Sequence, residues 1–290
     1  MTQHLPYAVE AATPEFASYL KRYSAESRRV QASRRCRLDV AYGDAPAERL
    51  DIFPADAQGA PIVLFLHGGG WRGSSKGDRS FPAEVFCPAG VAWISMEYPL
   101  APAASLDEMV SSLRKGARWV ARHAASFGGD AQRIHVCGNS AGAHLAAMLL
   151  ATDRSGDGLA PGTIKGGTFV SGVFDMVPLL ESGANDWLKM DIDVAVRNSP
   201  IYHVPVHGCP IVCAVGADEL PEFVEQSRNF AAVWRSHGHP ATFTACAGLH
   251  HFSVIGELGS AGSTLVRAML EQIGAPADGR DAGLPSGRRS

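Results

Sequence analysis

The hydrophobic pattern changes from alternating to continuous near residue 61. Residues 36–42 and 49–53 alternate apolar and polar positions on either side of a Gly-Asp-Ala-Pro turn, a pattern typical of a β-hairpin. Residues 62–66 form a continuous apolar run, as expected for a strand that is buried on both faces. Further strands are predicted at 91–96, 134–137, 164–171, 210–215 and 241–246.

Between these strands apolar residues recur at three- and four-residue spacing, which is the period of an amphipathic helix. The clearest case is 105–125, where Ser105 and Glu108 form a capping-box pattern at the start. Other helices are predicted within 15–29 and at 143–150, 221–237 and about 260–273. Strands and helices therefore alternate, which predicts an α/β fold: a mostly parallel central sheet with helices on both faces.

The pattern predicts one main domain over residues 36–274. Residues 1–35 form an N-terminal helical segment, whose aromatic residues either pack against the body or partly cover a site; packing is the preferred interpretation. Residues 172–206 are irregular and are predicted to form a small cap or inserted segment. Residues 275–290 are rich in Gly, Pro, Arg and Asp, which predicts a disordered tail.

Composition narrows the class of partner. The 290 residues are 46% hydrophobic and 19% charged with a formal net charge of −3, which gives no reason to expect nucleic acid or an anionic membrane as partner. No apolar run approaches a membrane span of about 18 residues, and no signal-peptide pattern is present. The six cysteines are expected to be reduced, and the spacing of Cys209 and Cys213 does not match metal-ligand motifs. We therefore expect a cytoplasmic protein with a small-molecule substrate, and the sequence is compatible with a homodimer.

One short turn carries a chemical signature. Gly-Asn-Ser-Ala-Gly at 138–142 lies between a predicted strand and a predicted helix, with Ser140 at its apex. Gly-x-Ser-x-Gly in this context is typical of the nucleophile elbow of an α/β-hydrolase. Glycine is needed at 138 and 142 because a Cβ there would clash where the strand and the helix pass each other.

A serine nucleophile requires a base and an acid, which follow it in the order acid, then histidine. Asp218 follows a predicted strand and is preferred as the acid over its neighbour Glu219, because it is nearer the strand end. The base is His250 or His251, which spacing alone does not separate. The predicted catalytic residues are Ser140, Asp218 and one of these histidines.

The sequence also predicts donors for a tetrahedral oxyanion. Such a site needs preorganised backbone N–H groups. The His-Gly-Gly-Gly run at 67–70 follows a predicted strand and is typical of the donor loop of this type of site. We expect the oxyanion hole to consist of the N–H groups of Gly69, Gly70 and Ala141.

Taken together, these motifs resemble the arylformamidase (kynurenine formamidase) branch of the α/β-hydrolases, which is related to the hormone-sensitive-lipase-like esterases. The resemblance runs from about residue 19 to 273. In that family the histidine precedes Phe-Ser, which favours His251 over His250. Asn139 and Gly70 depart from the family pattern, where His and Tyr are commoner. The motifs that carry the resemblance are His67-Gly-Gly-Gly-Trp71, Lys76 with Asp78, Tyr98-Pro-Leu-Ala-Pro102, Gly138-Asn-Ser-Ala-Gly-Ala-His-Leu145, Ser171-Gly-Val-Phe-Asp175, Asn198-Ser-Pro200, Gly216-Ala-Asp-Glu219 and His251-Phe-Ser253.

The resemblance implies a serine hydrolase that cleaves an N-formyl arylamine such as N-formyl-L-kynurenine through an acyl-enzyme, with no metal or organic cofactor. Trp71, Phe174 and Trp187 would line an aromatic substrate pocket, with ordinary packing as the alternative for each. Two other functions compete with this one: a carboxylesterase for short-chain acyl esters, and a non-catalytic ligand-binding protein on the same fold.

Overall fold

The fold is organised around one eight-stranded sheet in a computed structural model, which describes residues 6–151, 159–160 and 162–275. The strands lie in the order β1-β2-β4-β3-β5-β6-β7-β8. The pairs β1–β2 and β2–β4 are antiparallel and all the other pairs are parallel. The strands are β1 Arg37–Ala41, β2 Arg49–Phe53, β3 Ala60–Leu66, β4 Ala92–Met96, β5 Gly129–Asn139, β6 Ile164–Val170, β7 Ile211–Gly216 and β8 Ala241–Cys246. The predicted α/β fold is confirmed.

The continuous apolar runs are explained by burial on both faces of the sheet. All seven residues of β3 are buried. Ile62 and Leu64 face one core, while Val63 and Phe65 face the other. Full burial of a large aliphatic or aromatic side chain contributes about 1.5–3 kcal/mol, so a polar residue at any of these positions would be costly.

Helices cover both faces. They are α1 Val9–Ala12, α2 Phe16–Ser33, α3 Ala83–Phe86, α4 Leu106–His123, α5 Ala141–Leu150, α6 Asn185–Leu188, α7 Ile192–Arg197, α8 Pro221–Ser236 and α9 Thr264–Ile273. One core receives side chains from α4, α5 and α8, and the other receives them from α2, α3 and α9. The predicted capping box is present at the start of α4, where Ser105 and Glu108 each accept the other's backbone N–H.

Two segments outside this framework bear on the site. The N-terminal segment holds one long helix, α2, preceded by the short α1, where the pattern allowed one or two short helices within 15–29. The segment between β6 and β7 holds α6, α7 and short 3₁₀ helices at Val177–Glu181 and Pro200–Tyr202. It corresponds to the predicted inserted segment.

Two predictions fall partly beyond what the structure describes. Residues 276–290, nearly all of the predicted disordered tail, lie outside the described residues, as do residues 152–158 and 161 of the loop after α5.

In the part of the chain that is described, no helix is long and apolar enough to cross a membrane. Nor does that part hold a group of three or more His, Cys, Asp or Glu side chains able to bind a metal ion.

Candidate active site

The serine at the apex of the turn is held in a strained conformation. Ser140 lies between β5 and α5 with φ 53° and ψ −123°, and its N–H donates to the Val170 carbonyl at 2.8 Å. A Cβ on Gly138 would lie 2.3 Å from the Gly142 carbonyl oxygen, and one on Gly142 would lie 2.1 Å from the Leu66 carbonyl oxygen. Only glycine fits either position. The geometry is that of a nucleophile elbow, which lifts the serine hydroxyl above the sheet.

A hydrogen-bonded chain of three side chains starts at this serine. His251 Nε2 lies 3.0 Å from Ser140 Oγ, and His251 Nδ1 lies 2.6 Å from Glu219 Oε2. The side chain of His251 is 6% exposed and that of Glu219 is fully buried. The Phe223 ring packs 4.5 Å from the imidazole, centroid to centroid. Because the carboxylate accepts, Nδ1 carries the proton and Nε2 is left to receive one from the serine.

The structure separates the two histidines that spacing could not. His250 Nδ1 accepts the backbone N–H of Phe252 at 3.3 Å, and its Nε2 lies 4.0 Å from Glu15 on the N-terminal segment. His250 is therefore turned away from Ser140, and His251 is the histidine that reaches the serine.

The prediction that Asp218 partners the histidine is wrong. Asp218 is exposed, and only its backbone N–H is anchored, to the Leu249 carbonyl at 3.0 Å. The next residue, Glu219, has one more methylene and folds back beneath the strand end to meet His251. Proximity to the strand end was a poor guide, because the turn after β7 points the first carboxylate outward and the second inward.

Two donors hold the Glu219 carboxylate in place. Glu219 Oε1 accepts the Gly216 N–H at 2.6 Å and the Ser171 hydroxyl at 2.5 Å. Ser171 is buried just after β6 and has φ 53°, an unusual value for a residue with a side chain. With Oε1 fixed in this way, Oε2 faces the imidazole. Sequence reasoning missed the role of Ser171, although the residue follows a strand end beside the nucleophile strand.

The glycine loop lies directly against the serine. Gly69 and Gly70 have φ values of 117° and 60°, and a Cβ on Gly68 would lie 3.1 Å from the Ser140 Cβ. The N–H of Gly68 donates to Asn139 Oδ1 at 3.0 Å, which ties the loop to the elbow. Within the described residues the N–H groups of Gly69, Gly70 and Ala141 donate no hydrogen bond. The three predicted oxyanion donors are thus unpaired and lie on the two segments that flank Ser140.

A buried histidine and a largely buried glutamate lie under this loop. His67 Nδ1 lies 2.8 Å from the Gly68 carbonyl oxygen and Nε2 lies 2.7 Å from Glu97 Oε1, so each ring nitrogen faces an oxygen. Burial alone would raise the pKa of the Glu97 carboxyl, but the hydrogen bond and charge of His67 outweigh it and hold the pKa below its usual value. Glu97 Oε2 also accepts the Lys76 N–H at 3.1 Å. Sequence reasoning did not assign Glu97 a role.

Trp71 and Phe174 do not line a substrate pocket, so these two predictions are wrong. Trp71 is 4% exposed and donates its indole N–H to His144 Nδ1 at 3.1 Å. Phe174 is fully buried and stacks on Phe230 at 4.3 Å. Packing, the alternative for both aromatics, is what the structure contains: both side chains are large enough to fill the core beneath the loops that carry the site.

His144 joins the glycine loop to the inserted segment. Because an indole N–H only donates, His144 Nδ1 accepts, and Nε2 donates to the Asn198 carbonyl at 2.7 Å. Burial lowers the pKa of His144 to about 4, so the imidazole is neutral near pH 7, as this hydrogen-bond pattern requires.

Trp187, the third predicted aromatic, does lie beside the site. It is half-buried on α6, and its indole N–H donates to the Gly70 carbonyl at 2.8 Å. The Arg72 guanidinium lies over the indole, 3.7 Å from the ring centroid. The inserted segment is therefore connected to the glycine loop at two consecutive residues. Trp187 bonds to Gly70 directly, and His144 bridges Trp71 to the Asn198 carbonyl.

A cavity of about 410 Å³ adjoins His251. Its walls come from the N-terminal segment and from the turns after β7 and β8. Glu15, Asp218 and His250 are the ionisable residues at its edge besides the His251–Glu219 pair. The N-terminal segment makes two kinds of contact. Tyr23 packs in the core and donates to the Phe252 carbonyl at 2.7 Å, while residues 9 and 12–15 line the cavity.

Comparison with known proteins places the chain in a class and then in a family. The BD-FAE family model matches residues 50–172. A crystal structure described as that of a thioesterase from Silicibacter sp. TM1040 superposes with a TM-score of 0.81 at 27% identity, covering 90% of this chain and 96% of that one. The chain is an enzyme, a serine hydrolase with the α/β-hydrolase fold.

Two curated relatives define the family. The chain is 35% identical over 244 residues to the kynurenine formamidase of Danio rerio, and 36% identical over 245 residues to that of Salmo salar. Each match covers 82% of this chain and 82% of the relative. The chain therefore belongs to the kynurenine formamidase family, as the sequence motifs predicted.

Proposed function

We propose that the protein hydrolyses an N-formyl arylamine, with N-formylkynurenine as the reference substrate, to formate and the free amine. The observation that carries this proposal is the Ser140–His251–Glu219 chain beside three unpaired N–H groups, in a member of the kynurenine formamidase family. Ser140, His251 and Glu219 are the proposed catalytic residues.

The geometry supports a two-step mechanism. His251 Nε2 takes the proton from Ser140 Oγ as the oxygen attacks the formyl carbon, and the N–H groups of Gly69, Gly70 and Ala141 donate to the resulting oxyanion. The C–N bond breaks as His251 returns the proton to the leaving amine, which leaves a formyl ester on Ser140. Water, deprotonated by His251, attacks this ester, and the serine leaves with the proton to release formate. Glu219 holds the imidazole in its reactive tautomer and stabilises the imidazolium.

Purified protein tests the reaction through its two products. Wild-type protein should release formate and amine from N-formylkynurenine in equal amounts, and Ser140→Ala should lower kcat by at least about a thousandfold, because the nucleophile is lost. Ser126→Ala, which truncates an exposed serine away from the elbow, is the matched control and should retain wild-type activity. If Ser140→Ala kept a tenth of the wild-type rate, Ser140 would not be the nucleophile.

A second candidate function is the hydrolysis of short acyl esters, which would use the same catalytic residues. The structural similarity to a protein described as a thioesterase supports this candidate. Turnover of 4-nitrophenyl acetate alongside N-formylkynurenine separates the two. An enzyme that hydrolyses the ester well and leaves the formamide intact is a carboxylesterase. Failure of a fluorophosphonate probe to label Ser140 would support the third candidate, a non-catalytic ligand-binding protein.

A further inference from the structure

Within the described part of the chain, the guanidinium of Arg72 has no carboxylate partner. Some arginines do form such pairs, for example Arg29 with Glu84 and Arg197 with Asp107. No described carboxylate lies within ion-pair distance of Arg72, which is exposed and stacks on the ring of Trp187. A guanidinium stacked on an aromatic plane keeps its N–H groups free at its edge, where they can form two parallel hydrogen bonds to a carboxylate.

This free cation lies beside the proposed oxyanion donors. Arg72 is two residues after Gly70, and Trp187, on which it rests, donates its N–H to the Gly70 carbonyl. A Cβ on Gly70 would be 3.8 Å from the Trp187 ring, so the same indole contacts both the guanidinium and the loop. The Trp187 hydrogen bond and the stacking together limit where the Arg72 side chain can go.

The charge distribution around Ser140 is asymmetric. The loop after β3 carries Arg72, whereas the turn after β7 carries the exposed Asp218, and β5 with Ser140 lies between these strands in the sheet. Glu15, from the N-terminal segment, adds a second carboxylate to the cavity at the β7 side. The two exposed carboxylates on the β7 side and the guanidinium on the β3 side would favour an anionic group at the Arg72 side.

We propose that Arg72, stacked on Trp187 beside the oxyanion loop, is a carboxylate-binding subsite that makes the enzyme selective for substrates carrying a carboxylate outside the scissile bond. The proposal rests on the proposed function. The acyl substituent of a formamide is a single hydrogen atom, which leaves no place for a carboxylate. In a formamide substrate the carboxylate therefore belongs to the amine that leaves. Arg72 then acts on specificity, and the bond-breaking steps stay with Ser140 and His251.

Paired substrates that differ only in charge test the subsite. 2-Formamidobenzoate carries a carboxylate and 2-formamidobenzamide replaces it with a neutral amide. The readout is the ratio of kcat/KM for the charged substrate to kcat/KM for its neutral twin. Arg72→Gln should lower this ratio about ten- to a hundredfold, the range expected for the loss of a charged hydrogen-bonding pair. Arg72→Lys should recover part of the ratio, because it keeps the charge but loses the fork.

The control removes the same charge elsewhere. Arg122 is exposed at the end of α4, which leads into the start of β5, whereas Ser140 follows the end of β5. Arg122 therefore lies near the opposite end of that strand from Ser140. Arg122→Gln should leave the ratio at the wild-type value. Benzoate should inhibit wild-type protein competitively and the Arg72→Gln variant much less. An unchanged ratio in Arg72→Gln, or an equal fall in Arg122→Gln, would overturn the proposal.

An ester pair keeps this test distinct from the test of the reaction. The acetate esters of 4-hydroxybenzoate and 4-hydroxybenzamide again differ in one charge. If the formamides resist hydrolysis while the esters turn over and Arg72→Gln lowers their ratio, the formamidase function fails and the subsite stands. If the formamides are hydrolysed but Arg72→Gln leaves both ratios unchanged, the subsite fails and the function stands.

Discussion

Glu219 illustrates how three hydrogen bonds can give one carboxylate a single orientation. Its Oε1 accepts from Gly216 and Ser171, and its Oε2 accepts from His251. All three partners lie at or after the carboxyl ends of strands of the same sheet. The carboxylate therefore depends on residues that are up to 48 positions away in the chain, since the pairing with Ser171 spans 48 and that with His251 spans 32.

This geometry predicts different outcomes for two neighbouring carboxylates. Glu219→Gln should lower kcat by about ten-thousandfold, because an amide can present an N–H to His251 and favour the wrong tautomer. Asp218→Asn, the same change one residue earlier, should change kcat less than tenfold, because that side chain does not reach His251. Steady-state kinetics on one substrate compares them. A larger loss in Asp218→Asn would mean that Asp218 supplies the acid.

The sequence predicted Ser140 as nucleophile and offered two candidate histidines because the surroundings of these residues are local. Ser140 is defined by a five-residue turn, and both histidines lie in the loop after the last strand. The choice between Asp218 and Glu219 is not local. It depends on which of them meets the Ser171 hydroxyl, and Ser171 belongs to a different strand end.

Among the elements, the inserted segment has the clearest connection to the site. Its helix α6 carries Trp187 and its C-terminal part supplies the Asn198 carbonyl. Both contacts lead to the loop after β3. The conformation of that loop, and with it the direction of its N–H groups, therefore depends on an element that lies outside the sheet.

Removing one N–H from this connection should slow the reaction. Trp187→Phe keeps an aromatic ring under Arg72 but loses the hydrogen bond to the Gly70 carbonyl. We expect kcat to fall about tenfold, a fraction of the effect of deleting an oxyanion donor, with KM and melting temperature little changed. Trp119→Phe, on α4, is the matched control. A fall in melting temperature with kcat unchanged would assign Trp187 to stability alone.

The regular elements were accessible from sequence, and so was the position of the inserted segment, but the helices within that segment were not. The strands of the sheet and the helices that cover it have hydrophobic patterns that repeat over many residues. For this reason the helix that begins after Ser105 could be predicted, and the Ser105–Glu108 pattern marked its start. The inserted segment consists of helices of three to six residues. Such short pieces carry no usable period, so the sequence could not reveal that Trp187 approaches Gly70 while Phe174 enters the core.

For the molecule as a whole, two of the buried histidines, His135 and His144, make folding stability depend on pH. Burial lowers the pKa of both His135 and His144 from 6.5 to about 4. Between these values the unfolded chain binds more protons than the folded one, so their contribution is complete above pH 6.5 and is lost as pH falls towards 4. A shift of this size corresponds to about 3 kcal/mol for each histidine.

Urea unfolding between pH 7 and pH 4 measures this loss. His135→Asn should remove about half of the pH dependence that His135 and His144 contribute together, whatever it does to stability at pH 7. His237→Asn, at an exposed position after α8, should leave the dependence unchanged. A His135→Asn variant with the wild-type pH dependence would contradict this explanation.

The N-terminal segment forms one wall of the cavity, and this position has an evolutionary consequence. None of the residues of α1 is buried, and Pro14 and Glu15 are exposed, so substitutions there have little effect on folding. Yet Val9, Ala12 and Glu15 face the same cavity as His251. Descendants of this sequence can therefore acquire new substrate preferences by mutations in α1 and the residues just after it, while the strands that position the serine and the histidine stay as they are.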